Sequence, residues 1–192
     1  MAFLLLVSLN AQNLLQSGPM PAYSTMMESA IFVQTTQAAE VYIEYHDING
    51  NDTKSKSSIY QTTAPESFCA TIIAAPLEPG HTYTYDVYIN GKKEEIDQPL
   101  RFVSQPLFQW RTDPPNIKFA TGSCAFINEV EYDRPGKSYG GGYKIFESIR
   151  AKQPEFMLWL GDNVYLREVD WFSETGIRHR YFHDRGLDSL QP

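Results

Sequence analysis

Cysteine and histidine are both scarce: Cys69 and Cys124 are the only thiols among 192 residues, and His46, His81, His179 and His183 the only imidazoles. The two cysteines fall in different predicted domains, which argues against a structural disulfide. Basic residues are also short, 16 against 23 acidic ones, for a net charge of −7. Nucleic-acid binding needs cations in excess, so that class of partner is excluded. The same balance offers nothing to an anionic membrane surface, and no apolar run approaches membrane-spanning length. Repeats and low-complexity tracts are absent as well. Apolar and aromatic residues are plentiful, at 42% and 14%, enough for one core or two small ones.

Residues 1–17 are signal-like: Ala2 to Ala11 has the apolar character of a secretory leader, with cleavage expected after Ala11. The basic opening of such leaders is missing, and an N-terminal strand is the alternative. Export would place the protein in the periplasm or outside the cell. Residues 18–105 read as short strands between turns. Ala30–Gln34 and Val41–Tyr45 are two of them, Ser67–Ile73 is a third, and Tyr83, Tyr85, Val87 and Ile89 keep strict period two. Asn90-Gly91 is a hairpin signal. Leu77-Glu78-Pro79-Gly80 before Tyr83 has the form of a tyrosine corner, so the span is expected to be a fibronectin type III-like β-sandwich. Residues 106–115, with Phe108, Trp110 and Pro114-Pro115, read as a stiff linker packing against both neighbours.

From residue 116 to 192 the pattern changes to β-loop-α-β. Ile117–Thr121 is a strand ended by Gly122-Ser123-Cys124, and Phe156–Leu160 has the composition of a fully buried parallel strand ended by Gly161-Asp162-Asn163-Val164-Tyr165. Between them Tyr143–Lys152 has helical spacing, stopped by Pro154. Gly140-Gly141-Gly142 is read as letting the loop pass close to the sheet. Ligands of open α/β sheets sit at the carboxyl ends of strands, so Cys124 and Asp162 are expected at the same edge. A carboxylate beside a phenol suits a hard cation; the plainer alternative is a turn whose Asp caps a helix and whose Tyr packs. No histidine lies near Ser123 or Cys124 to activate either as a nucleophile. Gly136-Lys137-Ser138 is not a nucleotide-binding loop, because position 131 is Glu. His179 and His183 share a helical spacing, but their cationic surroundings favour a solvated face. Arg134, Arg167 and Arg178 are candidate phosphate clamps, and Asn163 is placed to orient Asp162.

The blocks Thr121-Gly122-Ser123-Cys124, Asn128-Glu129 with Tyr132 to Gly136, and Leu158 to Tyr165 resemble the alkaline phosphatase D family of metallophosphoesterases. The resemblance runs from about residue 18 onward. It implies that Cys124 and Tyr165 bind Fe³⁺ and that Asp162 bridges it to a second divalent metal, Ca²⁺ foremost, with Mn²⁺ or Zn²⁺ as alternatives. It further implies a phosphate-ester substrate; with the clamps and the orienting Asn read above, the expected catalytic residues are Asp162, Asn163, Arg134 and Arg167. Family members add ligands from an Asp-Asp-His-Asp stretch and from later Asn or His residues, and this chain has no such stretch. The expected architecture is therefore a β-sandwich followed by the first βαβ part of an α/β metallophosphoesterase domain, inactive by itself. The rival expectation is a secreted interaction or carbohydrate-binding sandwich module with a vestigial α/β half.

Overall fold

A computed structural model of the chain describes residues 13–50, 53–132, 134–137 and 139–191. Most of the signal-like segment, residues 1–12, lies outside the described residues. Strand β1, Leu15–Ser24, begins inside that segment and pairs antiparallel with β2, Ser29–Thr35. Its prolines, Pro19 and Pro21, are tolerated because β1 is an edge strand and its outer edge pairs with nothing in the sheet.

Two sheets form the sandwich. The first has the order β1-β2-β6, with β6 at Cys69–Ala74. The second is built on β3 (Glu40–Asp47) paired with β7 (Thr82–Ile89). Two short strands, β4 (Ser55–Lys56) and β5 (Tyr60–Gln61), edge β3, while β8 (Lys92–Lys93) and β9 (Arg101–Val103) edge β7. Period two in the sequence becomes burial in the structure: Tyr83, Tyr85, Val87 and Ile89 all point inward, opposite Val41, Ile43 and Tyr45. Ile31, Val33 and Ile72 close the core from the first sheet. Each such aliphatic side chain contributes about 1.5–3 kcal/mol by leaving water. The predicted corner is present, with the Glu78 N–H donating to Tyr83 Oη at 2.7 Å.

Between β9 and the next strand the chain forms no helix or strand, and Trp110 is 94% exposed with a left-handed φ of 63°. The expected packing of this linker against both neighbours is not found at Trp110. Strands β10 (Phe119–Gly122) and β11 (Phe156–Trp159) then pair in parallel, joined through helix α1 (Ile145–Ala151). The burial expected of Phe156–Leu160 is corrected: Phe156, Leu158 and Leu160 are exposed, because among the described residues β11 pairs with β10 alone. Gly140, Gly141 and Gly142 all have φ near +65°, and open space surrounds Gly141 and Gly142. The requirement at Gly141 and Gly142 is conformational, while a Cβ at Gly140 would also meet the Tyr143 ring at 2.8 Å; close passage by the sheet, as expected, is found at none of the three.

Helix α2 (Glu174–Arg185) returns to the sandwich. Arg178 donates to the carbonyls of Ala64 and Pro65, and the Arg185 guanidinium lies over the Phe32 ring. Ser17 Oγ donates to the Arg185 carbonyl at 3.1 Å, and the Gly18 N–H to Gln191 Oε1 at 3.0 Å. No helix of the described residues is long and apolar enough to cross a membrane.

Candidate metal centre

The parallel ladder continues past the formal strand ends. Leu160 N–H donates to the Gly122 carbonyl, Cys124 N–H to Gly161, and Ala125 N–H to Asp162 at 3.0 Å. These bonds zip the Gly-Ser-Cys turn to the Gly-Asp turn and set Cys124 and Asp162 side by side, as the sequence predicts. Cys124 Sγ lies 3.8 Å from Asp162 Oδ2, and Tyr165 Oη donates to the same oxygen at 3.2 Å. Among the described residues no group of three His, Cys, Asp or Glu side chains forms a metal site, so the cluster depends on the phenol as third donor.

The donor set combines two hard oxygens, of carboxylate and phenol, with one soft thiol sulfur, and its three potential anions suit a highly charged cation that accepts both kinds of ligand. Thiol, carboxylic acid and phenol each ionise to an anion, and three anions at this spacing would repel. The protein alone keeps the phenol protonated: hydrogen bonding with Cys124, then desolvation, then Asp162, push the Tyr165 pKa above its usual value. A cation at the cluster reverses that balance, since a coordinated thiol or phenol gives up its proton.

A polar scaffold stands behind the cluster. Arg167 donates from Nη1 to the Tyr165 carbonyl at 2.7 Å, and from Nη2 to the Ile127 carbonyl and Asn128 Oδ1 at 2.9 and 3.0 Å. Its guanidinium also stacks over Phe126, whose ring meets Tyr165 at 5.5 Å. The Arg167 N–H donates to Asp170 Oδ2, which also accepts from Arg180 Nε at 2.9 Å. Arg180 Nη1 sits 2.8 Å from Glu129 Oε1, a second ion pair on the same guanidinium. Arg180 and Asp170 are 1% and 2% exposed, so the pair is dry. Burial pushes the Asp170 carboxyl up, but hydrogen bonds from Arg167 N–H and Arg180 outweigh it and the net shift is downward.

The predicted site residues thus separate. Cys124, Asp162 and Tyr165 come together. Arg167 holds the loops that carry them through its contacts to Tyr165, Ile127 and Asn128. Arg134 stacks on Tyr139 at 3.8 Å. Asn163 lines a cavity of about 280 Å³ together with Trp159, Tyr181 and Asp184. The expected solvated face of α2 holds for His179 but fails for Arg180 and Asp184, both buried. Gly176, Arg180 and Asp184 form one stripe at four-residue spacing. A Cβ at Gly176 would stand 2.8 Å from Asp170 Cα, so glycine is what lets α2 approach Asp170. A charged pair on a helix reads as solvent-facing in sequence, and only the glycine one turn earlier hints at close packing.

Residues 12–105 match the family described as a domain of unknown function, DUF7800. Against solved structures, 92% of the chain superposes on PhoD with a TM-score of 0.61 and 16% identity. The likeness is one of fold. The chain spans 35% of the PhoD chain, about a third of its length. The sandwich is also similar, at a TM-score of 0.38 and 15% identity, to the sensor domain of the anti-sigma factor RsgI4 of Pseudobacteroides cellulosolvens, covering 54% of this chain and 96% of that one. A fibronectin type III domain of human fibronectin type III domain containing protein 3 follows, with a TM-score of 0.35 and 11% identity over 49% of this chain and 86% of that one. No curated protein matches in sequence.

Proposed function

We propose that this chain supplies the first ligands of a two-metal phosphoesterase centre of the alkaline phosphatase D type, in an exported enzyme acting on phosphate mono- or diesters. The observation that carries the reading is the convergence of Cys124, Asp162 and Tyr165, within 3.8 and 3.2 Å of one carboxylate oxygen, at the carboxyl ends of neighbouring parallel strands. The similarity of fold to PhoD supports it.

In this reading Cys124 and Tyr165 would hold Fe³⁺, and Asp162, the one member with two equivalent oxygens, would be shared with a second metal, a divalent cation, Ca²⁺ before Mn²⁺ or Zn²⁺. When bound, such a pair supplies Lewis-acid activation of water and offsets charge on the phosphoryl oxygens. The residues of this chain bind and orient. Thiolate and phenolate donate charge that favours the ferric state, and the backbone ladder from Gly122 to Asp162 keeps their spacing. Completing the centre requires ligands beyond these three.

The test is ferric loading of the purified chain, followed by metal analysis and visible spectroscopy. Wild type should bind iron and show a phenolate-to-iron absorption band. Tyr165→Phe should abolish the band, and Cys124→Ala should weaken iron binding. Iron content unchanged in both variants would overturn the ligand assignment.

A further inference from the structure

We infer that Arg180, Asp170 and Arg167 form a positioning relay that fixes the separation of the Cys124 and Tyr165 loops, and that metal affinity at the cluster depends on it. The inference rests on the metal-centre reading above. Arg167 meets the cluster only at the backbone carbonyl of Tyr165, and Asp170 and Arg180 act through Arg167.

The relay starts in helix α2, where Arg180 is fixed by packing and 1% exposed. It holds Asp170 through Nε, and Asp170 in turn accepts the Arg167 N–H at 2.8 Å. That bond orients the Arg167 backbone while the guanidinium reaches two loops at once. One branch ends on the Tyr165 carbonyl, and the other on Ile127 and Asn128, three and four residues past Cys124. The backbone ladder between the two turns runs to Ala125 and Asp162, and Arg167 joins the loops beyond it, across a sequence separation of 40 residues. Phe126 fills the gap between the Arg167 guanidinium and the Tyr165 ring. Glu129 pairs with the same Arg180 guanidinium at 2.8 Å and ties the Cys124 loop to α2 as well. A buried ion pair is a poor source of stability, because desolvation consumes most of its attraction; fixing one arrangement among several is its better-attested use. Groups behind metal ligands that set their orientation change affinity by about 10- to 100-fold when lost.

Three variants and two readouts test this. Arg167→Met keeps the stem over Phe126 and removes the forked donors. Arg180→Met removes the anchor, and Arg180→Lys retains its charge. In the metal-free chain, deuterium exchange should accelerate about tenfold or more at residues 125–128 and 165–167 in Arg167→Met, with sandwich amides unchanged. Ferric affinity should fall about 10- to 100-fold in the same variant, and Arg180→Lys should recover part of what Arg180→Met loses. Unchanged exchange in both loops overturns the relay. Faster exchange with wild-type ferric affinity overturns its role in positioning and leaves a brace only. A wild-type chain that binds no iron, with exchange responding as expected, overturns the metal-centre reading and removes the proposal's basis.

Discussion

Cys124 and Asp162 leave the ends of neighbouring parallel strands with matching left-handed backbones, φ 65° and 49°. Neither is glycine, and a left-handed backbone costs an L-residue about 1–2 kcal/mol. Two such residues bonded to each other's turns are a strained pair held by the ladder between them, and strain of this type gathers at functional sites.

The strain is measurable in the metal-free chain. Cys124→Gly should be about 1 kcal/mol more stable than Cys124→Ala, and Asp162→Gly likewise against Asp162→Ala. Equal urea midpoints within each pair would show that the backbone carries no such load.

Tyr83 gives an independent check on the sandwich. Its hydroxyl accepts the Glu78 N–H, and Ser104 Oγ donates to the carbonyl of the same residue. Tyr83→Phe deletes the acceptor and keeps the ring, so a loss of about 1 kcal/mol is expected by denaturant unfolding. A loss near zero would mean that the corner does not fix this turn.

Asp184 behaves oppositely to Asp170. Burial, opposed by the hydrogen bond with His183, raises its pKa in the folded state. A raised carboxyl favours folding when protonated, so its contribution is largest below the unfolded value of about 3.9 and is lost as pH rises through the folded value. Asp184→Asn should therefore raise the melting temperature at pH 7, by a margin that shrinks as pH falls towards 4. A margin independent of pH would place the cause elsewhere.

The apolar edge of β11 predicts a surface property. Phe119 and Phe156 stack at 5.5 Å while 53% and 44% exposed, and Leu160 is 72% exposed. This chain should bind a hydrophobic dye, and Phe156→Lys with Leu160→Lys should reduce that binding without lowering the melting temperature. Unaltered dye fluorescence would move the sticky surface away from β11.

The legible parts of the molecule were those where one local signal suffices. Strand β7 was readable because burial of one face imposes period two, and the cluster because glycines end both strands just before Cys124 and Asp162. Strand β1 was obscured by the apolar run preceding it and by its two prolines. Phe156–Leu160 was read as buried from composition, which carries no information on how many strands flank it. Arg180 and Asp184 could not be read as core. Arg180's partners Asp170 and Glu129 arrive from loops, and nothing in a helix sequence announces a counter-charge supplied from elsewhere; Asp184 meets His183 of its own helix, and its burial comes from packing the sequence does not show.

Every described sandwich strand lies between residues 15 and 103, with none borrowed from later chain. During synthesis, at about 5–20 residues per second, that module can close several seconds before α2 emerges. In that interval Cys124 is already made while Asp162 and Tyr165 follow it. The nascent chain then presents a finished β-module while the side-chain cluster still lacks two of its three members.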